Sequence, residues 1–286
     1  MTQFLLTLLV LTLIKATPII YAALGGVISE RAGVINIGLE GMMAAGAFTA
    51  VVVSYATHNP VLGLLAGIAA GALVGCLLAV AATRFKVDQI VAGMGLNIMC
   101  AGGAAYGLVL LFNQPGASTQ VDSLGNAYWT LVVLAFVLAA ALQWVLYRTP
   151  WGLRVRACGE NPGAVASAGL DPLALRVYAV IASGALAGLG GAFLSIGELN
   201  LYSDGMTAGR GFIALAAVIF GRWHPVGATI ACVIFGFFEA LQFVVQGQIA
   251  WLPANAMQAL PYIAALVALA GITGRVRAPA SDGVPY

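Results

Sequence analysis

Asn36 and Glu40 stand four residues apart in "ERAGVINIGLEGMM", residues 30–43, an apolar stretch that opens on Glu30-Arg31 and carries Gly33, Gly38 and Gly41. On a helix, that spacing puts an amide and a carboxylate on one face. The three glycines weaken such a helix or interrupt it. Side by side, these groups can hold the polar atoms of a solute or tie helices together by hydrogen bonds, and both readings stand. Asn97 is a second amide among glycines, in "VAGMGLNIMC". Glu239 and Gln242 fall at i, i+3 and share a helix face with Gln246, while Arg210 stands at the mouth of a short apolar run with Phe212 just inside. Soluble catalytic signatures are missing. There is no G-x-x-x-x-G-K-[ST] phosphate loop, no H-E-x-x-H, no C-x-x-C and no G-x-S-x-G. The lysines are Lys15 and Lys86, and His58 and His224 make no metal site. Cys76, Cys100, Cys158 and Cys232 have no pairing spacing and read as small core residues.

What must position these groups is set by composition. The 286 residues are 62% hydrophobic and 8% charged, against about 25% charged in soluble domains. So few charges cannot cover a soluble surface, and lipid is the solvent for most of the chain. Apolar runs fall near 4–27, 33–56, 60–83, 90–112, 128–147, 177–197, 211–221, 226–247 and 256–273. The N-terminus lacks a basic region and a cleavage site and reads as a first span, which Pro18 and Gly25-Gly26 threaten to break. The 211–221 run is too short to cross alone and reads as a half-helix. The expected fold is an all-α, polytopic transmembrane bundle of about 8–10 spans with broken or half helices, in one domain over residues 1–286. Arg84 and Lys86 share one loop, and Arg148, Arg154, Arg156 and Arg176 mark the connector 148–176. Arg222, Arg275 and Arg277 lie further on, while loops 113–127 and 198–209 carry no Lys or Arg. The basic loops and the C-terminus are therefore expected in the cytoplasm. Gly63, Gly67, Gly71 and Gly75 form one bare helix stripe, and Gly184 and Gly188 another; both read as packing surfaces.

The connector "RTPWGLRVRACGENPGAVASAGLDPLALR" is unlike the rest. Asn161-Pro162 can open a short helix over "GAVASAG", ending at Gly169 and followed by Asp171-Pro172. It reads either as a solvated loop or as a docking helix with small residues that enter a partner's groove.

"ALGGVISERAGVINIGLEGMMAAGAF", "DQIVAGMGLNIM", "GENPGAVASAGLDP" and "GRGFIALAAVIFGRWHPVGA" together resemble the permease subunits of bacterial ABC importers. The branch is that of ribose-type sugar, branched-chain amino-acid and nucleoside systems, and the first and last motifs are most similar to nucleoside and simple-sugar permeases. Where ribose permeases carry Asp-Leu-Ser-x-Gly, this chain has Ile35-Asn36-Ile37-Gly38-Leu39-Glu40, which speaks against ribose. The resemblance implies a bacterial inner-membrane subunit that works with a second permease, identical or related, a separate ATPase and an extracytoplasmic binding lipoprotein or periplasmic protein. It implies that this chain binds no cofactor or nucleic acid, ATP and Mg²⁺ being used by the ATPase. Residues 158–172 would be the coupling helix, with Arg154, Arg156, Glu160, Asn161, Pro162 and Asp171 toward the ATPase. For a nucleoside, aromatic faces and polar edges along the path would be Asn36, Glu40, Phe48, Asn97, Phe212, Glu239 and Gln242. The rival classes are an ion-coupled secondary transporter using Glu40 and Glu239, or a channel-like scaffold.

Overall fold

Pro18 removes one N–H from a helix ladder, yet the first element, α1 (Thr2–Arg31), runs unbroken through it and through Gly25-Gly26. The computed structural model describes residues 2–125, 127–245, 263, 277–284 and 286. After α1 come α2 (Leu39–Thr57), α3 (Pro60–Thr83), α4 (Gln89–Phe112), α5 (Ala127–Arg148), α6 (Pro150–Glu160) and α7 (Pro162–Ser167). α8 (Pro172–Ala192) continues into a π-helical turn, Phe193–Leu199, and α9 (Arg210–Phe220) and α10 (Pro225–Val245) follow. Apart from residue 263, the expected run 256–273 lies outside the described residues, as do Gln246 and Arg275.

Local sequence fixes the starts. Asn59, Asp88, Thr149, Asn161 and Asp171 each accept first-turn N–H groups, and Pro60, Pro150, Pro162 and Pro172 sit at the first helical position after such a cap, where a missing N–H costs nothing. Among the described residues, α1–α5, α8 with its π-turn, and α10 are long and apolar enough to cross a membrane. The chain is thus a multi-pass, all-α membrane bundle. α9 has 11 residues, hence a length of about 16 Å, half of a hydrocarbon layer about 30 Å thick.

The core is glycine against glycine. A Cβ on Gly71 would stand 2.2 Å from the Gly184 carbonyl oxygen, one on Gly188 2.4 Å from that of Gly67, and one on Gly46 2.4 Å from that of Gly188. The two bare stripes therefore pack α3 directly on α8, with α2 closing the same seam. Close approach of backbones replaces the hydrophobic drive that lipid cannot supply. Gly71→Val is expected to destabilise the isolated subunit by about 3 kcal/mol, whereas Gly102→Val, where an added Cβ meets nothing within 4 Å, stays within about 0.5 kcal/mol. Thermal unfolding in detergent separates the two.

Of the two outcomes that the glycines of 33–41 leave open, the structure takes the interruption. Residues 32–38 are not helical, because α1 stops at Arg31 and α2 begins at Leu39. Asn36 and Glu40 therefore do not share a helix face. Gly33 ends α1 at φ +88°, a left-handed conformation that glycine adopts freely. The chain then passes into the bundle as an irregular link.

Candidate functional site

An irregular link inside a bundle frees backbone groups that must be satisfied. Two amide side chains do this, and a third ties the link to α8. Gln89 Oε1 accepts from the Ile35 N–H at 2.8 Å. Asn97 brackets the link, its Oδ1 accepting from Gly41 N–H at 2.7 Å and its Nδ2 donating to the Ile37 carbonyl at 3.0 Å. Asn36 is fully buried and donates through Nδ2 to Ser183 Oγ on α8 at 2.8 Å.

Glu40 opens α2 and meets the start of the half-helix α9. Its Oε1 accepts from Gly209 N–H at 2.8 Å and its Oε2 from Gly211 N–H at 2.7 Å. A carboxylate there satisfies two orphan donors and complements the positive end of the helix dipole. Gly211 must be glycine, since a Cβ would stand 2.4 Å from the Glu40 backbone nitrogen. Arg210, beside this junction, forms an ion pair with Glu239 of α10 and donates to the Met206 carbonyl at 2.9 Å. Gln242 is buried one turn further along α10.

Asn36, Glu40 and Asn97 are thus brought together around the link, and Glu239 joins through Arg210; each has a protein partner. Phe48 lies elsewhere, edge-on to Tyr202 with ring centroids 5.3 Å apart, and Phe212 is 44% exposed on the bundle surface. Ser183 gave no signal in sequence, because its partner is 147 positions away.

The end of the bundle that carries the arginines holds a second cluster. Here α6 and α7 form two helices where sequence suggested one. Arg154 on α6 is exposed, whereas Arg156 lies with its guanidinium 4.6 Å from the centroid of the Tyr147 ring. Asn161 caps α7, its Oδ1 accepting from Ala164 N–H at 3.0 Å, and Asp171 caps α8 through Leu173 N–H at 2.9 Å. What α7 shows outward is small: Gly163, Ala164, Ala166, Ser167 and Ala168 are exposed. Glu30 and Arg31 turn to other elements. Glu30 accepts from the Trp223 indole N–H, and Arg31 donates to the Trp223 carbonyl at 2.8 Å and the Tyr147 hydroxyl at 3.0 Å. The His224 ring stacks on Tyr147 with centroids 4.3 Å apart. Burial, then the Arg31 and Arg156 cations, hold its pKa below the ordinary value.

Residues 277–284 strap this cluster. Ser281 N–H donates to the Gly159 carbonyl at 2.8 Å, and buried Arg176 donates to the Val284 carbonyl at 2.9 Å. Burial pushes the Asp282 carboxyl up to about 7, against the opposing pull of Arg176 and the Gly283 N–H. A raised acid holds its proton in the docked state, so docking is strongest below the ordinary carboxylate range and weakens as pH rises through about 7. Tryptic cleavage at exposed Arg277, measured relative to Asp282→Asn, is expected to rise roughly tenfold from near pH 6 to near pH 8. A pH-independent ratio would contradict this.

A family model described as branched-chain amino acid transport system / permease component matches residues 8–270. The guanosine ABC transporter permease protein NupQ of Bacillus subtilis is 38% identical over 304 aligned residues, covering 96% of this chain and 94% of that protein. The nucleoside ABC transporter permease protein NupC of Lactococcus lactis is 38% identical over 303, with the same coverage of both chains. The putative glucose ABC transporter permease protein TsgC13 of Haloferax volcanii is 35% identical over 247 residues, 81% of this chain and 75% of its own.

Proposed function

Because this chain belongs to the family of branched-chain amino acid transport system permease components, we propose that it is the membrane permease subunit of an ATP-driven importer that carries nucleosides. The observation that carries the substrate is 38% identity, over 96% of the chain, to permeases of guanosine and of nucleosides. TsgC13 keeps a simple sugar as the alternative solute.

The fold supports the division of labour. With the arginine-bearing end in the cytoplasm, α6 and α7 face the ATPase, the N-terminus is outside and the C-terminal strap is inside the bacterial inner membrane. ATP and Mg²⁺ belong to the ATPase, and this chain moves solute without hydrolysing nucleotide. The exposed face of α4, with Ile98, Tyr106 and the open Gly95, Gly102 and Gly103, is the surface we assign to a second permease, and a binding protein docks on the outer loops. In this reading Asn36, Glu40, Asn97, Glu239 and Gln242 hold the wall of the path, while Phe48 and Phe212 offer aromatic faces to a passing base. Arg154, Glu160 and Pro162 border the ATPase contact, and Arg156, Asn161 and Asp171 hold its helices in place.

The test is uptake of labelled guanosine into proteoliposomes holding the assembled system. ATP-dependent uptake that requires the ATPase is expected. Uptake by this chain alone, driven by an ion gradient, would make it a secondary transporter; transport of glucose but no nucleoside would favour the sugar alternative.

A further inference from the structure

Lys15 of α1 and Glu198 of the π-helical turn form an ion pair 183 positions apart in sequence, with side chains 11% and 15% exposed. Nothing in the mid-bundle junction or the strap uses it. A buried ion pair is a weak stabilising device, since apolar residues of the same size often serve as well. The pair instead borders a pocket of about 470 Å³, lined also by Tyr128, Ser123, Gly197 and Phe243. That is within the range of about 300–1,000 Å³ usual for small-molecule sites. π-Helical turns are rare and frequent at functional sites, and this one delivers Glu198.

We infer that this pocket, framed by α1, α5, the π-helical turn and α10 at the end assigned to the outside, is a nucleoside-receiving site ahead of the central path. The inference rests on the nucleoside reading above and adds a place and residues to it. Lys15 and Glu198 cancel each other's charge, so the site suits a neutral, strongly polar solute rather than an ion. Glu198 Oε2 is buried and has no hydrogen-bond partner among the described residues. The Glu198 side chain lines the pocket, and a turn of its carboxylate brings Oε2 to the adjacent hydroxyls of a ribose, which supply the donors it lacks. Lys15 has donors left beyond its bond to Glu198, which suit a base carbonyl or ring nitrogen. Tyr128 and Phe243 give aromatic walls for a base, Phe243 being 49% exposed. The Lys15 ammonium lies 4.5 Å from the Phe243 ring centroid, so charge, carboxylate and aromatic surface converge.

The test is equilibrium binding of labelled guanosine to the solubilised permease–ATPase complex without its binding protein, with guanosine and 2′,3′-dideoxyguanosine as competitors. Wild type is expected to bind guanosine saturably and the dideoxy analogue roughly tenfold more weakly, the loss of hydrogen bonds to a charged acceptor. Glu198→Gln is expected to weaken guanosine roughly tenfold and leave the dideoxy analogue unchanged, because the two losses are the same interaction. Should that variant fail to assemble, Phe243→Ala is expected to weaken both ligands alike. Absence of saturable binding, equal weakening of both ligands by Glu198→Gln, or no effect of Phe243→Ala overturns the site. ATP-driven guanosine uptake by wild type, run in parallel, separates the failures: uptake with no binding in this pocket sinks the site alone, and no uptake sinks the nucleoside reading on which it rests.

Discussion

Glu40→Ala unseats α9. The Gly209 and Gly211 N–H groups, now bound at 2.8 and 2.7 Å, lose their acceptor at the start of a helix too short to cross the membrane. The junction is part-buried, and an unmade bond there costs part of the desolvation of the donor. The subunit is expected to lose about 2–4 kcal/mol and to fail in assembly. Glu40→Gln keeps one acceptor oxygen and loses the charge opposite the helix dipole, so about half of that loss is expected. Thermal unfolding of the purified subunit and recovery of the complex measure both. A variant that assembles and unfolds like wild type but no longer transports would instead make Glu40 a substrate contact.

The second large effect is at α7. Replacing residues 162–167 by a flexible Gly-Ser stretch of the same length is expected to leave the bundle folded, since the exposed faces of Gly163, Ala164, Ala166 and Ser167 contribute little to its core. Transport is expected to fall roughly 5–150-fold, the range of a coupling free energy of about 1–3 kcal/mol, while basal ATP hydrolysis continues. Asn161→Ala alone removes the α7 cap, a loss of about 1 kcal/mol, and should uncouple only partly. Paired rates of ATP hydrolysis and uptake read both variants. Unchanged coupling in the α7 replacement would move the contact elsewhere.

Much of this was legible in sequence because it depends on local spacing. The glycine stripes at 63–75 and 184–188 predict a close seam, and they form one with each other. The short run before Arg222 predicts a half-helix, and α9 is that. "ENPGAVASAG" predicts a capped helical turn, and Asn161 caps it. The glycines of 33–41 signal an interrupted helix but not where it breaks; the break falls between Arg31 and Leu39, so Asn36 and Glu40 share no helix face. α6 is not legible in sequence because "PWGLRVRACGE" has the charge of a solvated loop, and its packing against α5, where a Cβ on Gly152 would meet the Val145 carbonyl oxygen at 2.2 Å, is tertiary. The pairing of Lys15 with Glu198, Arg210 with Glu239 and Glu40 with the start of α9 depends on which helices meet, which no local pattern contains.

We read this subunit as a passive gate moved from below through α6 and α7. The direct measurement is labelling of a single cysteine at Ala166, with the four native cysteines replaced, by a membrane-impermeant maleimide in right-side-out and inverted vesicles. Labelling from the cytoplasmic face alone, and protection once the ATPase is bound, is the predicted result. Labelling from the outer face, or equal labelling with and without the ATPase, would contradict it.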